Sequence, residues 1–249
     1  MNAVMATSNQ PSKVFRVRAH NAATDAENKI HDDRFASSLG FRGGLVPGIT
    51  VYGYMVPAVL EVFGLRWLES GSINMRLFSP CYEGEAVASS CDGSTVSAKR
   101  DDGSLYASGT VTIDDPAELD VPSLPLHPLP EMDQRPVASS TTILPGLPLG
   151  TLRLSVDVDE TTAIPERFLR MANQILVQNF PMSPWIHAGS HVRHHRLAGL
   201  GEEITVRGMI QECFERKGRK FAVAGIQMSG HGHSPDPIAT VRHTFIYEL

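Results

Sequence analysis

The chain is short of cysteine, short of positive charge, and without a long apolar run. Its three cysteines, Cys81, Cys91 and Cys213, form no Cys-x-x-Cys pair. An odd, scattered set excludes a disulfide framework and fits free thiols in a reducing compartment. Lys and Arg number 22 against 27 Asp and Glu, a net charge of −5, with no basic stripe. On electrostatic grounds nucleic acid is not an expected partner. Three or four local cations would still serve a substrate bearing a few phosphates. The longest apolar stretch, Ile49 to Leu65, is interrupted by Thr50, Gly53, Pro57 and Glu61. It is shorter than the roughly 20 residues of a membrane span. Met1 to Lys13 is polar and lacks the apolar core of a secretory leader. These absences predict a soluble, cytoplasmic protein with no membrane partner. No Gly-x-Gly-x-x-Gly or Walker sequence occurs, so neither a dinucleotide cofactor nor ATPase chemistry is expected. Ser139, Ser140 and Ser229 lack the Gly-x-Ser-x-Gly elbow, which argues against a serine hydrolase.

What is present is ordinary globular composition, 42% hydrophobic and 20% charged over 249 residues. That length suits one large domain or two of about 120 residues. Proline divides it. Pro116, Pro122, Pro125, Pro128, Pro130, Pro136, Pro145 and Pro148 crowd one segment that cannot sustain a helix or a central strand. The expected organisation is residues 1–115, a linker at 116–150, and residues 151–249.

The two flanks repeat each other. Trp67-Leu-Glu-Ser-Gly71-Ser72, Arg76 and Gly84-Glu85 stand in the first; Trp185-Ile-His-Ala-Gly189-Ser190, Arg196 and Gly201-Glu202 stand in the second. Each set follows an apolar helical pattern and precedes alternating runs broken by a turn, at Lys99 to Gly103 and at Glu215 to Gly218. This order marks an internal duplication. Val14 to Ala19 and Leu152 to Val158 alternate as strands. Ile49 to Phe63 is apolar nearly all round, a buried helix that Pro57 kinks or splits. Pro165 to Phe180 is amphipathic. Each half then reads as one strand, one helix and about four antiparallel strands. Such a layer leaves an unpaired edge that a second copy could cover.

The motif content points to a family. Asn28-Lys-Ile-His31-Asp-Asp-Arg-Phe-Ala36, then Gly40-Phe-Arg-Gly43-Gly44-Leu-Val-Pro-Gly48, resembles the MaoC-like, R-specific enoyl-CoA hydratase/dehydratases. The resemblance implies an α+β double hot-dog fold, two curved antiparallel sheets each wrapped round a long central helix. It implies reversible hydration of a 2-enoyl thioester to its 3-hydroxyacyl form, without a cofactor. The partner would be an acyl-CoA or carrier-protein thioester, bound by a monomeric pseudo-dimer or a homodimer. His31 falls on the catalytic imidazole, Asn28 on the motif asparagine, and Gly48 on the glycine whose N–H holds the thioester oxygen. The family's carboxylate belongs two residues before Asn28, where this chain has Ala26. Asp25 is the first candidate to replace it and Glu27 the second. Thioester hydrolysis, or silent binding of an acyl or small-molecule ligand, are the alternatives. The second half lacks an Asn-x-x-His sequence in its first loop and is expected to be a non-catalytic copy that shapes the pocket.

Other features have plainer readings beside the functional ones. His31-Asp32-Asp33 also suits a helix start, where acidic side chains cap free N–H groups. Gly43, Gly44 and Gly48 suit tight turns, which also bring backbone close to a ligand. His187, His191, His194 and His195 invite a metal, but no carboxylate or cysteine stands at ligand spacing, so none is expected. His231-Gly-His233 reads as a solvated turn. Arg193 and Arg196 form a basic patch, either a solvated strand face or a contact for phosphates, with Arg193 the candidate.

Overall fold

A computed structural model describes residues 12–113, 124–155, 164–199, 201–230 and 237–249. The start of the linker, most of the second half's first loop and the His231-Gly-His233 turn lie outside the described residues.

Strand β1 (Phe15–Arg18) leads through a 3-10 turn (Lys29–His31) and α1 (Asp33–Ser38) to α2 (Gly48–Phe63). Helix α3 (Trp67–Ser70) then feeds β2 (Gly71–Leu77), β3 (Ala86–Asp92), β4 (Thr95–Lys99) and β5 (Leu105–Ile113). The second half repeats the order with β6 (Pro148–Ser155), α4 (Ile164–Asn179), β7 (Ile186–His194), β8 (Glu203–Arg216), β9 (Arg219–Gly230) and β10 (Pro237–Glu248). Pro57 lies inside one continuous α2 and does not split it.

The strands form one sheet in the order β1-β3-β4-β5-β2-β7-β10-β9-β8-β6. Read outward from its centre, each half has the same strand order. The duplication is therefore visible in topology as well as in sequence. The two halves join where β2 pairs antiparallel with β7, Ser72 opposite Arg193 and Met75 opposite Ser190. Two edges that would template aggregation are thereby consumed. The two expected sheets are thus joined edge to edge, and each half contributes five strands to a single one. The register follows from a small residue. Gly189 faces Arg76, and a Cβ there would stand 2.6 Å from the carbonyl oxygen of Met75.

Helix α2 packs on β1, β3, β4, β5 and β7 and on α4. It buries Ile49, Val51, Tyr52, Met55, Val56, Ala58 and Val59, as a helix apolar on most faces must. Linker residues 124–147 hold no helix or strand and lie on the second half. Arg207 donates to Leu124 O at 3.0 Å, Arg135 donates to Val177 O at 2.6 Å, and Ile143 is buried. Among the described residues no helix is long and apolar enough to cross a membrane.

Candidate functional site

A cleft of about 810 Å³ opens where the halves meet, within the size range of small-molecule sites. The first half supplies the loop around His31, the start of α2 and the end of β2. The second supplies Asn173 of α4, the segment entering β7, and residues of the β8–β9 hairpin and of β10. Among the described residues, no Asp or Glu lines it.

Asn28 sets the loop. Its Oδ1 accepts from Ile30 N at 3.4 Å, capping the 3-10 turn. The same amide bridges the halves: Nδ2 donates to Trp185 O at 2.9 Å and Oδ1 accepts from Trp185 N at 3.2 Å. Replacing Asn28 by Ala leaves both Trp185 backbone groups buried without partners. A loss of about 2–4 kcal/mol is expected, read as a lower midpoint in urea unfolding.

His31 follows directly. Its Nδ1 lies 2.6 Å from Leu45 O, so Nδ1 carries the proton and Nε2 keeps a lone pair. Burial lowers the pKa of His31 below its ordinary value, and the Leu45 bond opposes this only in part. The ring is thus a neutral base at neutral pH, bordering the cleft. Asp32 and Asp33 take the plainer role. Asp32 caps α1 through Phe35 N at 2.8 Å, and Asp33 accepts from Gly44 N at 2.7 Å. A Cβ on Gly44 would collide with the carbonyl of His31, so this glycine sets the close approach of two loop strands.

Gly48 opens α2 on the wall of the cleft. The helix has no side-chain cap, and its first bonds run from Thr50 N and Val51 N to Pro47 O at 2.9 and 3.2 Å. The N–H groups of Gly48 and Ile49 precede those bonds. They carry the partial positive charge of a 16-residue helix.

The cleft brings together Asn28, His31 and Gly48, with Gly44 behind them. Asp25 and Glu27 are exposed and do not line it. Glu27 instead pairs with Arg135 of the linker at 3.7 Å. Arg193 sits on β7 between Ser72 and Thr240, also off the lining. The second half contributes lining residues to which the sequence assigned no place in the site: Asn173 from α4, and Trp185 and His187 before and in β7. At the mouth stand Arg76, Arg216, Lys217 and Arg219. Lys217 and Gly218 both have positive φ, 53° and 72°, the two-residue turn that projects the β8–β9 hairpin tip. Among the described residues no three His, Cys, Asp or Glu side chains group as metal ligands.

No protein-family model matches the chain, and no curated protein matches it in sequence. Solved structures do. A putative MaoC domain protein dehydratase from Chloroflexus aurantiacus J-10-fl superposes with a TM-score of 0.64 at 11% identity, over 99% of each chain. A conserved hypothetical protein of Mycobacterium tuberculosis with a double hot-dog fold gives 0.56 at 11%, over 95% of this chain and 96% of that one. The fold is a double hot dog. A putative oleoyl thioesterase from Lactobacillus plantarum gives 0.54 at 12%, over 97% and 98%. At such identities the likeness carries the fold alone. The chemistry therefore has to be argued from this chain's own cleft.

Proposed function

We propose that this double hot dog hydrates a 2-enoyl thioester, and dehydrates the 3-hydroxyacyl form in reverse. The observation that carries the reading is the pairing of His31, its Nδ1 committed to Leu45 O, with the uncapped start of α2 in one cleft. The thioester oxygen docks at Gly48 N–H, where enolate charge is stabilised as it develops. His31 Nε2 takes one proton from water while the water oxygen bonds to C3. The same proton passes to C2, so the imidazole ends neutral and nothing is left over. One base closes the cycle, which suits a lining without carboxylates. Asn28 keeps the loop in register with the second half.

The cationic mouth suits a thioester whose carrier bears phosphate. Arg76, Arg216, Lys217 and Arg219 surround the opening, and Phe214 and Phe221 stack there with centroids 5.0 Å apart. Reversing charge in an Arg216→Glu/Arg219→Glu variant is expected to raise KM for an acyl-CoA at least tenfold with little change in kcat. The difference should shrink as salt is added.

Hydrolysis is the second reading, favoured by the thioesterase among the structural neighbours. Crotonyl-CoA separates the two. Hydration removes the enoyl absorbance and releases no thiol; hydrolysis releases CoA thiol. Thiol release in step with absorbance loss would replace the hydratase reading, and turnover of neither kind would overturn both.

A further inference from the structure

The second half carries a buried polar chain against the cleft wall. His187 Nε2 and Ser190 Oγ are 2.8 Å apart, and Ser190 Oγ and His243 Nδ1 are 2.9 Å apart. The two imidazoles stack with centroids 4.3 Å apart. Three side chains are buried here, and His243 is 0% exposed. Neither His187 Nδ1 nor His243 Nε2 has a hydrogen-bond partner among the described residues. His187 also touches the start of α2: its Nδ1 stands 2.7 Å from where a Cβ on Gly48 would lie.

Two proton arrangements satisfy both internal bonds with every group neutral and the Ser190 O–H used within the chain. In the first, His243 Nδ1–H donates to Ser190, Ser190 donates to His187 Nε2, and His187 carries its proton on Nδ1. In the second the bonds reverse, and the remaining N–H belongs to His243 Nε2. Either arrangement leaves one unpaired N–H buried in the free protein, at a cost of about 1–3 kcal/mol. Only in the first does that donor belong to a residue of the cleft wall, so only there can a ligand oxygen that reaches it remove the cost. Burial keeps the rings uncharged: it pushes His187 down to about 4 and holds His243 well below its ordinary value.

We propose that His187 Nδ1–H is a second donor to the thioester oxygen, beside Gly48 N–H, with Ser190 and His243 as positioning residues that fix its tautomer. This rests on the thioester reading above. It gives the second half a part in the chemistry, where the sequence leads one to expect only a shaping role. His187 gains and loses no proton; the transferred proton travels from water to His31 to C2. A neutral imidazole donor is suited to an enolate oxygen because it polarises the carbonyl without protonating it.

The test combines histidine nitrogen spectroscopy with kinetics. In ¹⁵N-histidine wild type, His187 signals are assigned by their loss in His187→Gln. The expected result is a proton on Nδ1, with that N–H shifting when crotonyl-CoA is added. A proton on Nε2, or no shift with crotonyl-CoA, overturns the inference whatever the activity. His187→Gln, shown to be folded by circular dichroism, should lower kcat for hydration about 100-fold with KM changed less than about threefold. A folded variant with kcat within threefold of wild type overturns it. Ser190→Ala should lower kcat by less and redistribute the His187 proton, while Ser190→Thr restores both. An Nδ1 proton that shifts with crotonyl-CoA in a wild type without turnover leaves the donor standing and overturns the hydratase reading instead.

Discussion

His31→Ala is expected to lower kcat/KM for crotonyl-CoA hydration by about 10²–10⁴, or roughly 3–5 kcal/mol of barrier. The effect is large because no carboxylate among the described residues lines the cleft to share the work. The fold should survive. His31 is partly exposed, and the loop keeps its Asn28 bridge to Trp185 and the bond from Asn21 to His31 O at 2.9 Å. The pH profile of wild type carries the same signature. A base works only unprotonated, and burial sets the pKa of His31 below 6.5. Activity should hold at pH 6.5 and fall on an acid limb below it. Steady-state rates from pH 4.5 to 8 check both statements. An acid limb that persists unchanged in residual His31→Ala activity would assign that titration to another group.

Acid should also unfold the protein early. His187, His194 and His243 are buried, with pKa values pushed down to about 4, about 3 and well below 6.5 respectively. The cause in each is burial of a ring that would have to charge. The unfolded chain takes these protons near pH 6.5, whereas the folded chain refuses them. Their stabilising contribution is therefore complete above pH 6.5 and is lost as pH falls toward the folded values. Each group costs about 1.4 kcal/mol per pH unit in that window, so three cost about 4. At pH 5 the three together cost about 6 kcal/mol, so a domain at the low end of the usual 5–15 kcal/mol should unfold near pH 5 and a more stable one at lower pH. His194 offers the control. It packs between Trp67 and Phe168, with centroids at 4.7 and 5.5 Å, and neither of its nitrogens has a hydrogen-bond partner among the described residues. His194→Leu should stabilise the protein at pH 7 by about 1–3 kcal/mol and flatten the pH dependence by one proton. Urea unfolding at pH 5.5, 6.5 and 7.5 measures both.

Much of the architecture was legible because it depends on local pattern. The apolar run after Gly48, the alternation of β2 to β5, and the Trp-x-x-x-Gly-Ser repeat are each properties of neighbours in sequence. Gly71 shows why the repeat persists at least once: a Cβ there would collide with the Trp67 indole. The His31 loop was legible too, since Asn28, His31, Gly44 and Gly48 stand within one short segment. The opposite wall was not. Asn173, Trp185 and His187 reach the cleft only because β2 and β7 pair, and a sequence does not display which edge meets which. In sequence His187 is one of four histidines with no carboxylate at ligand spacing, and its partner His243 lies on another strand. The carboxylate question was unreadable for a similar reason. Asp25 and Glu27 sit close to Asn28 in sequence, but Asn28 turns inward to Trp185 while Glu27 turns out to Arg135.

The most direct test of the account is crotonyl-CoA hydration by an Asp25→Asn/Glu27→Gln double variant. A cleft run by one imidazole and a helix start predicts kcat/KM within about threefold of wild type. A loss of about 100-fold or more in the folded double variant, on the scale of removing an acid–base group, would contradict it and return the chemistry to a carboxylate.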